Sequence, residues 1–190
     1  MARVGVGAIT LVDGDRFEES NLNRQLLSTA GNLGQYKATA GAMRIAAISP
    51  DTQVTVVNEV LNAQNTQQLL SPCSIIIDAV DSIPVRYLLQ SAADQLKVPL
   101  VHGAIAGWCG QVTSIFPGDI GFRRVYPFPE EPGEELHLGN PSFTPTVIAG
   151  IQSSEVVKIL LGTPGILRDK LLHVDLLNHT YELLSLSIPS

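Results

Sequence analysis

Two short apolar runs that each stop on an acid constrain this chain most. Ile9-Thr10-Leu11-Val12 ends in Asp13-Gly14-Asp15, and Ser74-Ile75-Ile76-Ile77 ends in Asp78. Apolar runs without polar alternation belong to strands buried on both faces, which is the condition of a parallel sheet covered by helices. Helical signals lie between and after them. A helix is expected over residues 34–48, with Ala40, Met43, Ala47 and Ile48 as its apolar stripe and Ser49-Pro50-Asp51 as its stop. Residues 53–57 read as a β-branched strand, 63–70 as a short helix, and 84–97 as a helix with Pro84 in its first turn. Strands are expected over 99–102 and 110–116, a helix over 146–161, and closing strands over 171–174 and 181–186. Strands that alternate with helices point to an open, mainly parallel α/β sheet with right-handed crossovers. Ligands of such sheets sit beyond the carboxyl ends of the strands, where Asp13, Asp78 and Asp81 fall.

One stretch breaks this rhythm. Residues 117–145 are crowded with proline and glycine and carry the acidic cluster Glu130-Glu131-Pro132-Gly133-Glu134-Glu135. A long crossing loop is expected there, and loops of that length inside a domain are usually functional or mobile. The 190 residues are read as a single domain with this loop inside it.

Composition narrows the function classes. The chain is 45% hydrophobic with 16% charged residues, which suits a well-buried globular protein. A net charge of -6 leaves no basic face for a nucleic acid. No apolar run approaches the roughly 20 residues of a membrane-spanning helix, and the first residues are no signal peptide. Cys73 and Cys109 make no disulfide framework and no Cys-x-x-Cys pair, so a reducing, cytoplasmic setting is expected and a structural zinc is not. Cys109 reads as a buried structural thiol rather than a reactive one, and the four histidines show no metal-ligand spacing.

The polar residues behind the first strand carry the chemistry. Asp13 and Asp15 read either as turn residues or as a carboxylate offered to ribose hydroxyls. The segment Ser20-Asn21-Leu22-Asn23-Arg24-Gln25 and then Lys37 follow, too polar for a plain connector. An arginine fork and a lysine point charge together suit a polyphosphate. Lys37 opens a helix, a position unfavourable for a cation unless an anion is near; the alternative is a solvated lysine. Asp78 and Asp81 can share a divalent cation or face a triphosphate, and Asp81 or Ser82 can also cap the next helix.

These residues resemble the ThiF/MoeB/HesA family, the bacterial relatives of ubiquitin-activating enzymes. The likeness rests on the run from Leu11 to Lys37 with its Ser-Asn-Leu-Asn-Arg-Gln motif, the segment from Asp78 to Arg86, residues 99–116, and residues 152–158. It implies a Rossmann-like doubly wound, mainly parallel sheet with antiparallel strands toward the C-terminus. It implies ATP-dependent adenylation of the C-terminal glycine of a small ubiquitin-like sulfur-carrier protein by a homodimer. By motif, Asp13 holds the ribose and Ser20, Asn21, Leu22, Asn23 and Gln25 line the nucleotide pocket. Arg24 and Lys37 contact the phosphates. Asp81, with Ser82 beside it, organises Mg2+ and the reacting phosphate. Arg24, Lys37 and Asp81 are the expected catalytic residues, and the acidic strand tips and the two cations are expected to converge on one triphosphate. Arg86 and the strand Gly110-Gln111-Val112-Thr113 serve as support.

Three departures accompany the likeness. The family's glycine-rich loop and first strand are not in the chain, so truncation, a bared apolar sheet edge and self-association are expected. The zinc-binding Cys-x-x-Cys pairs of many members are missing. The crossing loop carries no cysteine for a thioester step. The alternative function is a truncated, non-catalytic module that binds the carrier without turning over ATP. An NAD-dependent oxidoreductase is disfavoured because the Gly-x-Gly-x-x-Gly fingerprint is absent.

Overall fold

The computed structural model describes residues 1–128 and 138–187, which fall into two compact units, Met1–Asn65 and Thr66–Ser190. In the first unit, β1 (Ala8–Val12) and β2 (Gln53–Val57) pair in parallel, from Ala8 opposite Gln53 to Val12 opposite Val57. The helix α1 (Lys37–Ile48) makes the crossover between them. It opens at Lys37, three residues later than expected, because the residues before it are tied back to the loop through the Phe17 bonds to Gly34 and Gln35. Its buried residues are Ala38, Ala40 and Gly41, while Met43 is 65% exposed and Ala47 is also exposed. The expected stripe is therefore displaced. Apolar residues lie on more than one face of α1, and the small residues win the sheet side because the helix approaches closely: a Cβ on Gly41 would stand 2.9 Å from Leu11 Cδ1.

The long connection from β1 to α1 closes on itself. Arg16 bridges to Tyr36, the Phe17 N–H donates to the Gln35 carbonyl, and the Gly34 N–H returns to the Phe17 carbonyl. Phe17, 3% exposed, anchors this loop.

The second unit is built on a mixed sheet of order β3-β4-β5-β6-β7. Its strands are β3 (Ile76–Ile77), β4 (Leu100–Ala106), β5 (Cys109–Ile115), β6 (Lys170–Asp175) and β7 (Thr180–Ser185). β3 and β4 are parallel; β4 through β7 are antiparallel, so the change of direction toward the C-terminus is as expected. Its helices are α2 (Thr66–Leu70), α3 (Ile83–Leu96), α4 (Phe122–Val125) and α5 (Phe143–Leu161). Val112, Ile148, Leu167 and Val174 form its core, joined by Ile105, Ile151, Leu172 and Leu176.

Element bounds differ from expectation for local reasons. α2 begins late because Asn62 Oδ1 takes the N–H groups of Gln64 and Asn65 in a side-chain turn. β4 is longer than expected and β5 starts one residue early because Gly107, at φ 56°, allows a two-residue hairpin turn with Trp108. α5 starts three residues early, since the buried Thr144 hydroxyl bonds the Gly107 carbonyl and Pro145 sits in the first turn, where an N–H is not needed. The crossing loop is not irregular throughout: α4 interrupts it, held by the fully buried Phe122. The acidic cluster at 130–135 lies outside the described residues.

Candidate functional site

In the first unit, the end of β1 and the start of α1 are tied by acids. The Asp13 N–H continues the ladder to the Val57 carbonyl, and Asp13 Oδ1 accepts the Asp15 N–H at 2.8 Å. Asp15 accepts the Lys37 N–H on its carbonyl (3.0 Å), and its Oδ2 pairs with Lys37 Nζ at 2.9 Å. Gly14, between the two acids, must be glycine: a Cβ there would stand 2.7 Å from the Val60 backbone nitrogen. The ammonium of Lys37 is thus held just beyond the strand end by the Asp15 carboxylate, which is itself tied by its N–H to Asp13.

A second group forms around Arg24. Its NH1 donates to the Ser20 carbonyl (2.9 Å) and to Asn23 Oδ1 (3.0 Å). No carboxylate pairs with Arg24 among the described residues, so the rest of its guanidinium fork is unspent. Asn21, buried, takes the Glu18 N–H on its side-chain oxygen and shapes the 3-10 turn Glu19–Asn21. The carbonyl oxygens of Asn21 and Gln25 both accept the Ser28 hydroxyl, and Leu22 is exposed.

In the second unit the two acids at the end of β3 have opposite fates. Asp78 is fully buried and spent: Oδ1 accepts the Val80 N–H (3.0 Å), Oδ2 meets His102 Nδ1 at 2.6 Å, and Arg86 Nε stands 3.4 Å from the same Oδ2. The Gln152 amide donates to the Asp78 carbonyl, reaching it across Gly103, where any Cβ would collide with that amide. Asp78 is thus closed off from solvent and bound within the protein, and among the described residues it belongs to no group of three or more that could hold a metal. Asp81, three residues on, is exposed and makes no hydrogen bond or ion pair among the described residues. Ser82 occupies the N-cap position of α3, but neither its hydroxyl nor the Asp81 carboxylate closes a cap.

Two residues that sequence spacing did not single out, the buried His102 and the half-buried Tyr126, complete this region. Tyr126, just after α4, receives N–H groups from Arg86 NH1 (2.9 Å) and Gln111 Nε2 (2.8 Å) and lies 3.1 Å from His102 Nε2. Arg86 NH2 donates to the Val80 carbonyl at 3.0 Å. Burial pushes His102 below the ordinary histidine range, and the pull of Asp78 does not offset it. The ring is then neutral, with Nδ1–H donating to Asp78 and Nε2 accepting the Tyr126 hydroxyl, the one tautomer that this network satisfies. The signal in the sequence was weak: a polar histidine inside an otherwise apolar strand.

The structure thus brings Asp13, Asp15 and Lys37 together, gathers Ser20, Asn23 and Arg24, and leaves Asp81 exposed at the mouth of α3. Among the described residues no group of three or more His, Cys, Asp or Glu could hold a metal, and no helix is long and apolar enough to cross a membrane.

A model of the ThiF family matches residues 1–189. The chain is 33% identical over 185 residues to the SAMP-activating enzyme E1 of Haloferax volcanii, covering 96% of this chain and 68% of that protein. It is 34% identical over 194 residues to the sulfur carrier protein adenylyltransferase of Thermus thermophilus, covering 97% and 72%. Among solved structures, Escherichia coli MccB with ATP superposes at a TM-score of 0.77 with 16% identity, a likeness of fold; the chain spans 58% of that structure.

Proposed function

This chain belongs to the ThiF family, and on that premise we propose that it adenylates the C-terminal glycine of a small ubiquitin-like sulfur-carrier protein at the expense of ATP. The names of two relatives, a SAMP-activating enzyme and a sulfur carrier protein adenylyltransferase, support that reading. The observation that carries it is local. One acid at the end of β1 is joined through Asp15 to a lysine at the opening of α1, and Arg24 has most of its donors unspent.

In the proposed reaction the carrier's terminal carboxylate attacks the α-phosphorus of ATP. A C–O–P bond forms, the bond between the α-phosphorus and the bridging oxygen breaks, and pyrophosphate leaves. Asp13 receives the ribose hydroxyls. Lys37 exchanges Asp15 for phosphate oxygens, and Arg24 offers its remaining N–H groups as a fork. Ser20, Asn21, Leu22, Asn23 and Gln25 shape the nucleotide pocket. Asp81 fits Mg2+, since that ion is commonly held by one or two carboxylates and completed by substrate phosphates and water. When bound, it supplies neutralisation of charge on the phosphates. Asp81 then acts as a single outward carboxylate on a strand end kept rigid by Asp78. We place the protein in the cytoplasm as a homodimer.

The test is carrier-dependent exchange of labelled pyrophosphate into ATP. Exchange that needs the carrier's intact terminal glycine, and that falls in Lys37→Ala and Asp81→Asn, is the expected result. Carrier binding with no exchange and no ATP binding refutes adenylation and leaves a binding module.

A further inference from the structure

Val80 is the residue that decides where Asp81 stands, and it is held on both sides. Its N–H is taken by Asp78 Oδ1 and its carbonyl by Arg86 NH2. Both clamps run back to one hydroxyl. Asp78 is fixed by His102, whose other ring nitrogen takes the Tyr126 hydroxyl proton, and Arg86 is fixed by donating NH1 to the same Tyr126 oxygen. Gln111 supplies the second donor to that oxygen, and the Tyr87 hydroxyl pins the Tyr126 carbonyl at 2.7 Å. His102 packs edge-on against Phe122 and Tyr126, with ring centroids at 4.9 and 5.6 Å, which fixes the plane of the imidazole.

The geometry points to Tyr126 as a positioning residue for Asp81, acting through His102 and Asp78 on the N–H of Val80 and through Arg86 on its carbonyl. The inference rests on the adenylation reading for what Asp81 does, and on the hydrogen bonds alone for what Tyr126 does. Tyr126 touches no reacting atom in this scheme. Its hydroxyl takes an N–H from Arg86 and one from Gln111 and donates to His102 Nε2, and a connected set of this kind holds its members in place. Removing the hydroxyl leaves an Arg86 N–H without its partner and leaves His102 Nε2 with only the Gln111 amide, 3.4 Å away.

The experiment uses the full chain with Tyr126→Phe, which keeps the ring and its packing. Two further variants are His102→Asn, which keeps an N–H where Nδ1 stands, and His102→Leu, which does not. The first readout is hydrogen exchange at the Val80 amide without nucleotide. The second is the Mg2+ concentration giving half-maximal pyrophosphate exchange at saturating ATP. Tyr126→Phe and His102→Leu are expected to speed Val80 exchange by about tenfold, the effect of losing one well-placed buried hydrogen bond. They are also expected to raise the Mg2+ midpoint severalfold while the KM for the carrier stays put. His102→Asn is expected to restore both readouts toward wild type. Unchanged Val80 exchange in Tyr126→Phe overturns the inference. Faster exchange with an unmoved Mg2+ midpoint overturns it too, since the network is then only structural. A wild-type chain inactive with every carrier overturns the adenylation reading instead, and the amide result by itself then decides the role of Tyr126.

Discussion

Replacing Arg24 by lysine separates a phosphate-binding arginine from an ordinary surface one. A guanidinium has five N–H donors, and NH1 carries two of them. Both go to the protein, one to the Ser20 carbonyl at 2.9 Å and one to Asn23 Oδ1 at 3.0 Å. The Nε–H and NH2 groups therefore have no protein partner among the described residues and are able to take two phosphate oxygens side by side. Lysine keeps the charge but offers no fork, so one charge-assisted hydrogen bond is lost on binding. Such a bond contributes about 1.5–3 kcal/mol, or roughly 10- to 150-fold in kcat/KM for ATP. Arg24→Ala removes the charge as well and is expected to cost more than Arg24→Lys. The assay is initial-rate pyrophosphate exchange over a range of ATP concentrations, with thermal unfolding run in parallel. The two NH1 bonds lie on the surface, so melting is expected to shift by only a few degrees. Exchange by Arg24→Lys within about threefold of wild type, at unchanged melting temperature, refutes the assignment of Arg24 to the phosphates.

Gly14→Ala drives a Cβ against the Val60 backbone and is expected to cost about 1–3 kcal/mol; it is also expected to weaken ATP binding, measured by calorimetry, because the turn joining Asp13 to Asp15 must open. Phe122→Ala, at a fully buried site, is expected to cost about 3–5 kcal/mol in denaturant unfolding. The pH dependence of stability has a defined sign. His102 is depressed in the folded chain below its ordinary 6.5, so its contribution is intact above that value. As pH falls below it, the unfolded chain takes up a proton that the folded one resists, and stability is lost. Melting temperature should therefore drop between about pH 7 and pH 5.5, and His102→Asn should flatten that slope, the groups facing the ring being Asp78, Arg86 and Tyr126. An identical slope in the variant contradicts the account.

What could be read from the sequence was local in sequence. The apolar runs ending in Asp13 and Asp78 are strands, and Lys37 opens a helix, because strand and helix propensity are set by neighbouring residues; burial of those strands on both faces is not seen, β1 having no buried residue and Ile77 being exposed. The turn Asp13-Gly14-Asp15 was visible for the same reason, although the Val60 contact that demands Gly14 was not. The network around Asp78 escaped because its members, His102 and Tyr126, lie 24 residues apart in steps and obey no periodicity. Met43 illustrates a different failure: it has the right spacing for the core, yet Ala38 and Gly41 take the sheet face because only small side chains fit there. Loop composition likewise could not announce α4, which exists because Phe122 needs a buried seat.

Asp78 and Asp81 share one letter and three positions of chain, but one faces in and the other out. That division makes the outer position unusually open to exchange. A side chain there can be lengthened, neutralised or swapped for another metal-binding type while the scaffold beneath it stays in register. A lineage or a designer could thus retune what this strand tip handles by editing a single codon, and the inner acid would hold the new occupant in place as it holds the present one.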